Sequence, residues 1–149
     1  MPVPRPNDSD LVSWWGLVLE GFTTTMRHVS AHVEGDSGLG QAPAEVMLRL
    51  GRTPGGRLPM SRIARESSLS SGGFTKVADK LAELGHVRRV PCVSDRRVTY
   101  VELTPQGRTL ANRIEARTAE VLRERLLGVV GAEDAKRMSE IMRRLRDAG

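Results

Sequence analysis

The chain has 149 residues, a formal net charge of +5 and only 3% aromatic residues. This length is enough for one domain with a real core, and the scarcity of aromatic residues favours packed helices over a sheet sandwich. No apolar run approaches the length of a membrane span, and the N-terminal residues lack the apolar segment of a signal peptide. Cys92 is the only cysteine, which excludes an internal disulfide, so we expect a cytoplasmic protein without a membrane partner.

The positive charge is concentrated in the middle of the chain. Residues 52–104 contain ten basic and five acidic side chains, so this segment carries +5 and the two flanks together are neutral. A basic segment between neutral flanks indicates a polyanionic partner. Abundant arginine on a solvated surface would give the same count, so charge alone does not separate the two interpretations.

The first third of the chain predicts an arm and two helices. Residues 1–9 contain three prolines and are expected to form a flexible arm, after which Asp8, Ser9 or Asp10 can cap a helix. A glycine-rich loop is expected over 34–41, followed by a second helix over 42–51 with Met47 on its inner face. The long first helix, ending near Gly35, is predicted by apolar residues at helical spacing: Trp14, Trp15, Val18, Leu19, Phe22, Met26, Val29 and Val33.

Residues 58–85 have the pattern of a helix-turn-helix. A short apolar stripe through Met60 and Ile63 is interrupted by the polar residues 67–70. Ser70 is placed to cap the second helix and Gly85 to end it. The second apolar stripe has helical spacing: Phe74, Val77, Ala78, Leu81 and Leu84.

A β-hairpin and two more helices complete the predicted fold. The hairpin arms are residues 87–93 and 98–103, with a stub of strand at 57–58 and Pro91 restricting its strand to an edge. Thr104 and Pro105 are placed to start a helix that reaches Leu127, and a break over 128–131 precedes a last helix over 132–147. The sequence therefore predicts a mainly α fold with a small β-wing, in which residues 42–104 are the winged helix-turn-helix and 10–41 and 105–149 are flanking dimerisation helices.

The helix-turn-helix and the wing together predict a surface that binds duplex DNA. The first turn of the second helix would point Ser71, Thr75 and Lys76 at base edges or phosphates. At the hairpin tip, Arg97 suits a narrow minor groove, and Asp95 can pair with it or cap its own turn. Arg65 and Arg89 are further candidates for contacts with DNA phosphates. The predicted DNA-binding set is Ser70, Ser71, Gly72, Gly73, Thr75, Lys76, Lys80, Arg62, Arg88, Arg96 and Arg97, with Asp95 as support.

Gly72 and Gly73 stand where a helix begins, although glycine costs about 1 kcal/mol against alanine in a helix. Either the backbone there must approach the duplex closely, or the pair merely frays the helix start. The pattern alone leaves both interpretations open.

Residues 95–107, D-R-R-V-T-Y-V-E-L-T-P-Q-G, resemble the wing signature of the MarR family (multiple antibiotic resistance regulators). That signature is Asp-x-Arg, five residues, Leu-Thr, two residues and Gly, and all its positions are in register here. Shorter matches lie upstream at 63–64, 69–70, 81–85 and 87–89, and the order of elements is similar from about residue 11 to residue 146. The family pattern departs at Gly72-Gly73, where members more often carry larger residues.

The resemblance implies a homodimeric transcriptional regulator, usually a repressor, that binds a pseudo-palindromic operator. Each recognition helix would enter a major groove, and Arg97 would enter the adjacent minor groove with Asp95 supporting it. A small aromatic or lipophilic ligand is often the effector, and the implied pocket would be lined by Trp14, Trp15, Phe22, His28 and Met47. The apolar terminal helices themselves also predict a dimer, since one chain has little core to cover them; the alternative is an intramolecular bundle.

Two alternative functions are weighed against a sequence-specific regulator. A nonspecific or architectural DNA-binding protein would use the same basic surface. A small metal-dependent enzyme would need His28 and His32 as ligands, but two histidines are a weak metal signal and no catalytic motif accompanies them. Neither an enzyme, nor a cofactor, nor a metal is therefore expected. Cys92 could be an oxidant sensor beside its arginine-rich surroundings, although an inert thiol is favoured.

Overall fold

The computed structural model describes residues 1, 3–67 and 69–149, and Ser71 by its backbone alone. The helices are α1 (Asp8–Ser37), α2 (Gln41–Arg52), α3 (Met60–Glu66), α4 (Ser71–Glu83), α5 (Pro105–Leu122) and α6 (Gly128–Asp147). The strands are β1 (Arg57–Pro59), β2 (Val87–Pro91) and β3 (Thr99–Leu103). This architecture confirms the predicted fold class, a mainly helical chain with a small β-wing.

The chain forms two compact units, one of residues 31–120 and one of residues 1–30 with 121–149. In the first unit the three strands form an antiparallel sheet in the order β1-β3-β2. β2 is therefore an edge strand, as Pro91 predicted, and β1 is the predicted stub. The core of this unit is closed by fully buried side chains from the second helix, the helix-turn-helix and the sheet: Met47, Leu50, Ile63, Phe74, Leu81 and Val101.

The ends of α1 differ from the prediction. The helix begins at Asp8 because the Asn7 side chain accepts the N–H of Asp10 (2.9 Å), so Asn7 is the cap and the residues proposed for that role lie inside the helix. It continues to Ser37, where the hydroxyl donates to the carbonyl of Val33 (2.6 Å) and stabilises one more turn. Gly38 then ends the helix at φ +73°, which leaves a connection over 38–40 that is shorter than predicted.

The predicted break over 128–131 is wrong in extent. The chain passes from α5 through a π-helical turn (Arg123–Leu127) directly into α6, and Gly128 keeps helical angles. The interruption is confined to Gly131, at φ 78° and ψ 167°. One glycine in a conformation that other residues rarely adopt is enough to kink the helix, so Val129 and Val130 remain helical.

Thr104 connects the end of α4, the base of the wing and the start of α5. Its hydroxyl donates to the Gly85 carbonyl (2.6 Å) and accepts the N–H of Gly107 (3.0 Å), so it caps α5 as predicted. Its own N–H donates to the His86 carbonyl (3.1 Å). Gly107 passes so close to this carbonyl that a Cβ would collide with the oxygen. Gly85, at φ +79°, turns the chain out of α4 into this junction.

We expect Gly107→Ala to lower the free energy of unfolding by about 3 kcal/mol, because the added methyl group meets backbone that cannot move aside. Chemical denaturation followed by circular dichroism would measure the change. Gly35→Ala is the control, since a Cβ there meets nothing within 4 Å. Equal stability of the two variants would contradict the assigned role of the junction.

Candidate DNA-binding surface

The start of α4 is capped as the sequence predicted. Ser70 has an extended backbone (φ −63°, ψ 158°), and its hydroxyl accepts the N–H of Gly73 at 3.1 Å. The other N–H groups in the first turn of a helix have no intrahelical partners, which suits an anion. The predicted base contact of Ser71 depends on a side chain that lies outside the described residues. Ser68 lies outside them entirely.

The two faces of α4 separate as predicted. Phe74, Ala78 and Leu81 are buried on one face. The opposite face exposes Gly72, Thr75, Lys76, Asp79 and Lys80. The Thr75 hydroxyl and the two lysines can donate hydrogen bonds to bases or phosphates. Burial of one face fixes the rotation of the helix, so the exposed face has a defined orientation in its unit.

The two glycines of α4 differ in their surroundings. A Cβ at Gly73 would lie 3.1 Å from the capping hydroxyl of Ser70, so this glycine has a structural reason to be small that the sequence pattern did not indicate. A Cβ at Gly72 would meet nothing within 4 Å. No contact within the described chain therefore requires a glycine at position 72.

The wing tip is held by Asp95. Its carboxylate accepts the backbone N–H of Arg97 (3.0 Å) and two guanidinium N–H groups of the same residue (3.2 and 3.3 Å). Pairing and turn-capping, predicted as alternatives, are thus both present. The hydrogen bonds from the Arg97 side chain, followed by that from its backbone, lower the pKa of the Asp95 carboxyl below its usual value. Arg97 remains 91% exposed, so its guanidinium is oriented yet accessible.

The hairpin arms are shorter than predicted, ending at Pro91 and starting again at Thr99. The difference has a local cause, because the Asp95 carbonyl accepts the N–H of Val98 (3.0 Å) and draws that residue into the turn. Cys92 closes the turn by donating its N–H to Val98 (3.0 Å). Its Sγ lies 3.3 Å from the Ser94 hydroxyl, and this hydrogen bond lowers the pKa of the thiol.

Most basic residues around α4 and the wing are paired with carboxylates. Arg62 donates to Glu66 (2.9 Å) and Arg88 to Glu102 (3.4 Å). The bond from Arg62, together with the charges of Arg62 and Arg49, lowers the pKa of Glu66. Such partly exposed pairs contribute about 0–1 kcal/mol, so a phosphate could displace the carboxylates from these arginines.

Lys80 and Arg89 also pair with carboxylates. Lys80 lies 3.9 Å from Glu83 on the same helix, and Arg89 donates to Asp79 at 2.5 Å. The second pair was not predicted, because the sequence gives no sign that β2 and α4 approach each other at these positions. Arg96 and Arg65 are exposed.

The residues predicted to line a ligand pocket lie in different environments. Met47 is fully buried in the core of the 31–120 unit, whereas Trp14, Trp15 and Phe22 are 49–61% exposed on α1. His28 is half-buried. A cavity of about 420 Å³ within the 31–120 unit is lined by other residues: Ala31, His32, Gly35, Asp36 and Arg117.

The described residues contain no group of three or more side chains that could hold a metal ion, so His28 and His32 do not form part of such a cluster. Within the same part of the chain, no helix combines the length and the apolar character required to cross a membrane.

Comparison with known proteins finds relatives of part of this chain. Residues 37–98 match the family model described as MarR family. Over 90 residues, 60% of the chain, it is 31% identical to the HTH-type transcriptional regulator MhqR of Bacillus subtilis, of which the match covers 61%. A second relative, the HTH-type transcriptional repressor YetL of the same organism, is 28% identical over 92 residues, 62% of this chain and 55% of YetL. The chain thus spans less than two thirds of the length of these curated relatives.

The fold is also similar to that of Sco3205, a MarR family transcriptional regulator from Streptomyces coelicolor whose crystal structure was solved in complex with DNA. The TM-score is 0.81 at 23% identity, over 99% of this chain and 92% of Sco3205. Residues 37–98 are thus similar to the MarR family, in agreement with the resemblance carried by the chain's own motifs.

Proposed function

We propose that the chain is a dimeric, sequence-specific DNA-binding transcriptional regulator. The observation that carries this proposal is the pairing of two elements in one compact unit, the exposed first turn of α4 and a wing whose Arg97 is oriented by Asp95. The transcriptional regulator MhqR, the repressor YetL and the DNA complex of Sco3205 support the same function.

In the proposed complex α4 enters a major groove and the wing reaches the minor groove beside it. Thr75, Lys76 and Ser71 would contact base edges or phosphates, with the backbone of Gly72 close to the duplex. Arg97 would enter the narrow groove, where the negative potential is strongest, and Asp95 would hold its guanidinium in the required direction. Phosphates would be contacted through Lys80, Arg62, Arg88 and Arg96, and through the helix start at Ser70 and Gly73.

Dimerisation is supported by the unit of residues 1–30 and 121–149. Many of its large apolar side chains are 38–77% exposed in one chain. They lie on α1 (Leu11, Val12, Trp14, Trp15, Leu17, Val18, Leu19 and Phe22) and from the π-helical turn through α6 (Leu127, Val129, Val130, Met138, Ile141, Met142 and Leu145). Exposed apolar surface of this extent favours association with a second copy over an intramolecular bundle. A two-fold dimer would present two copies of α4 to a pseudo-palindromic operator.

We further propose that the protein is a cytoplasmic repressor, not an enzyme, and that a small aromatic or lipophilic ligand releases it from DNA. The repressor YetL supports the direction of regulation, and the free thiol of Cys92 suits a reducing compartment. Trp14, Trp15, Phe22, His28 and Met47 remain the proposed ligand-contacting residues.

The decisive experiment is selection of bound duplexes from a random pool, followed by competition with random DNA. Recovery of a two-fold related pair of half-sites spaced by about one helical turn supports the proposal. A specificity ratio near one would instead favour the nonspecific or architectural alternative.

We expect Arg97→Ala to weaken binding to the selected duplex at least tenfold without lowering the melting temperature, because Arg97 is 91% exposed and contributes little to the fold. Thr75→Ala should instead alter the preference among sites. Fluorescence anisotropy measures both effects. Arg113→Ala is the control, because it removes the same charge from α5, outside the proposed DNA-binding set. Arg113 pairs there with Asp36 of α1 (3.8 Å). Wild-type affinity in Arg97→Ala would show that the wing is wrongly assigned.

Gly72→Ala separates the two explanations of this glycine. A Cβ added at Gly72 would meet nothing within 4 Å, so the free energy of unfolding should be unchanged or higher by at most about 1 kcal/mol. If the duplex approaches the backbone there, affinity for the selected duplex falls about tenfold while stability does not. Wild-type affinity would support a frayed helix start, and Gly35→Ala again serves as the control.

We expect the protein to sediment as a dimer at micromolar concentration, and Ile141→Glu to convert it to single copies by placing a charge on the apolar face of α6. Lys136→Glu, on the opposite side of the same helix, should leave the dimer intact. Analytical ultracentrifugation distinguishes the two states. A single-copy wild-type protein would contradict the dimer.

A further inference from the structure

We propose that Asp79 is a positioning residue that, through Arg89, fixes the wing relative to α4, so that Arg97 is held at the correct place beside the recognition helix. The inference rests on the proposed DNA-binding function for its consequence, but not for its geometry. It assigns Arg89 to a brace between two elements in place of the phosphate contact that its charge suggested.

The register of the sheet explains why Arg89 reaches α4. Arg89 pairs with Val101 of β3, and residues directly opposite each other project from the same face of a sheet. Val101 is fully buried, so Arg89 leaves the sheet on the covered face, whereas its neighbour Arg88 lies on the other face opposite Glu102. The guanidinium then extends to the Asp79 carboxylate, where the N–O distance is 2.5 Å.

The position of Asp79 relates this ion pair to the proposed DNA-binding surface. Asp79 lies one helical turn after Thr75 and Lys76, on the exposed face of α4 proposed to meet the duplex. An unpaired carboxylate there would repel phosphates, so a negative charge at this position needs an explanation. The ion pair with Arg89 neutralises the charge and uses it to connect α4 to the wing.

The connection differs from the other ion pairs of this surface. Arg62–Glu66 lies within α3, Arg97–Asp95 within the wing turn, and Arg88–Glu102 within the hairpin. The first two pairs each lie within one element, and the third links the paired strands of the hairpin. Asp79–Arg89 instead joins the hairpin to α4 and can therefore set the angle between them.

The wing amplifies small changes in that angle. Ser94 at the turn lies five residues beyond Arg89, a reach of roughly 17 Å at about 3.3 Å per residue. A rotation of about 10° at Arg89 would move the tip by about 3 Å, as much as the whole length of a hydrogen bond. Loss of the brace would thus displace Arg97 from its groove while the core of the unit stays folded.

The brace is not expected to matter for stability. Arg89 and Asp79 are 41% and 53% exposed, and ion pairs of this exposure contribute little to folding. Asp79→Asn should therefore melt like the wild type, which allows its effect on geometry to be measured in a folded protein.

A DNA-free measurement tests the brace itself. Residual dipolar couplings of the backbone N–H groups of residues 94–97 and of α4 should fit one alignment tensor in the wild type and should no longer do so in Asp79→Asn. Arg89→Lys, which retains the charge, should restore most of the agreement lost in Arg89→Gln. Glu83→Gln, which removes the ion pair of Lys80 on the same helix, should have no effect. An unchanged fit in Asp79→Asn would overturn the proposal.

A double-mutant cycle tests the consequence for DNA. Asp79→Asn should weaken binding to the selected duplex about fivefold in the wild-type background and less than about twofold in the Arg97→Ala background. The second loss is smaller because the brace acts through the position of the Arg97 side chain, which Arg97→Ala has removed. Equal losses in both backgrounds, or tighter binding by Asp79→Asn, would overturn the proposal. Should the wild type bind no specific site, the proposed function fails, and the dipolar couplings still decide whether the brace exists.

Discussion

The junction at Thr104 is the constraint on which the proposed binding surface depends. One hydroxyl ties the C-terminal end of α4 to the first turn of α5, and the adjacent N–H holds the base of the wing. Because Gly107 has no side chain, α5 can begin in contact with the His86 carbonyl. The helix α4, the wing and α5 therefore meet at one point, in front of a core of apolar side chains such as Phe74, Leu81 and Val101. The Thr and Gly of the wing signature, here Thr104 and Gly107, thus have a hydrogen-bonding and a steric explanation.

The elements with strong local signals were predictable from the sequence. Ser70, Gly85 and Thr104 each have one residue type suited to one helix end, and the apolar stripe of α4 fixes which face is buried. Boundaries that depend on side-chain competition were not predictable in detail. Asn7 rather than Asp8, Ser9 or Asp10 caps α1, and the Ser37 hydroxyl extends the same helix beyond Gly35. At the other end of the chain, Gly131 alone carries the interruption that a glycine-rich segment suggested more broadly.

Contacts between distant positions were the part of the candidate surface that a single sequence could not supply. The Asp95–Arg97 pair is local and was expected, whereas Asp79–Arg89 requires knowledge of the sheet register and of the packing of β2 on α4. The role of Gly73 likewise became apparent only from the structure, in which a Cβ at this position would lie 3.1 Å from the Ser70 hydroxyl. Local chemistry thus indicated which residues are accessible, and tertiary packing determined which partners they have.

The charge-paired arginines have a kinetic consequence. The five carboxylates of residues 52–104 all lie in ion pairs, so the excess charge of +5 rests on the other basic side chains, and its field extends over about 8 Å at physiological salt. This net charge accelerates the first encounter with any polyanion, whatever its sequence. Partner exchange at the arginines begins only at short range, where groove shape can already be sensed. The lifetime of the bound state, more than the rate of collision, would thus distinguish the correct sequence from its competitors.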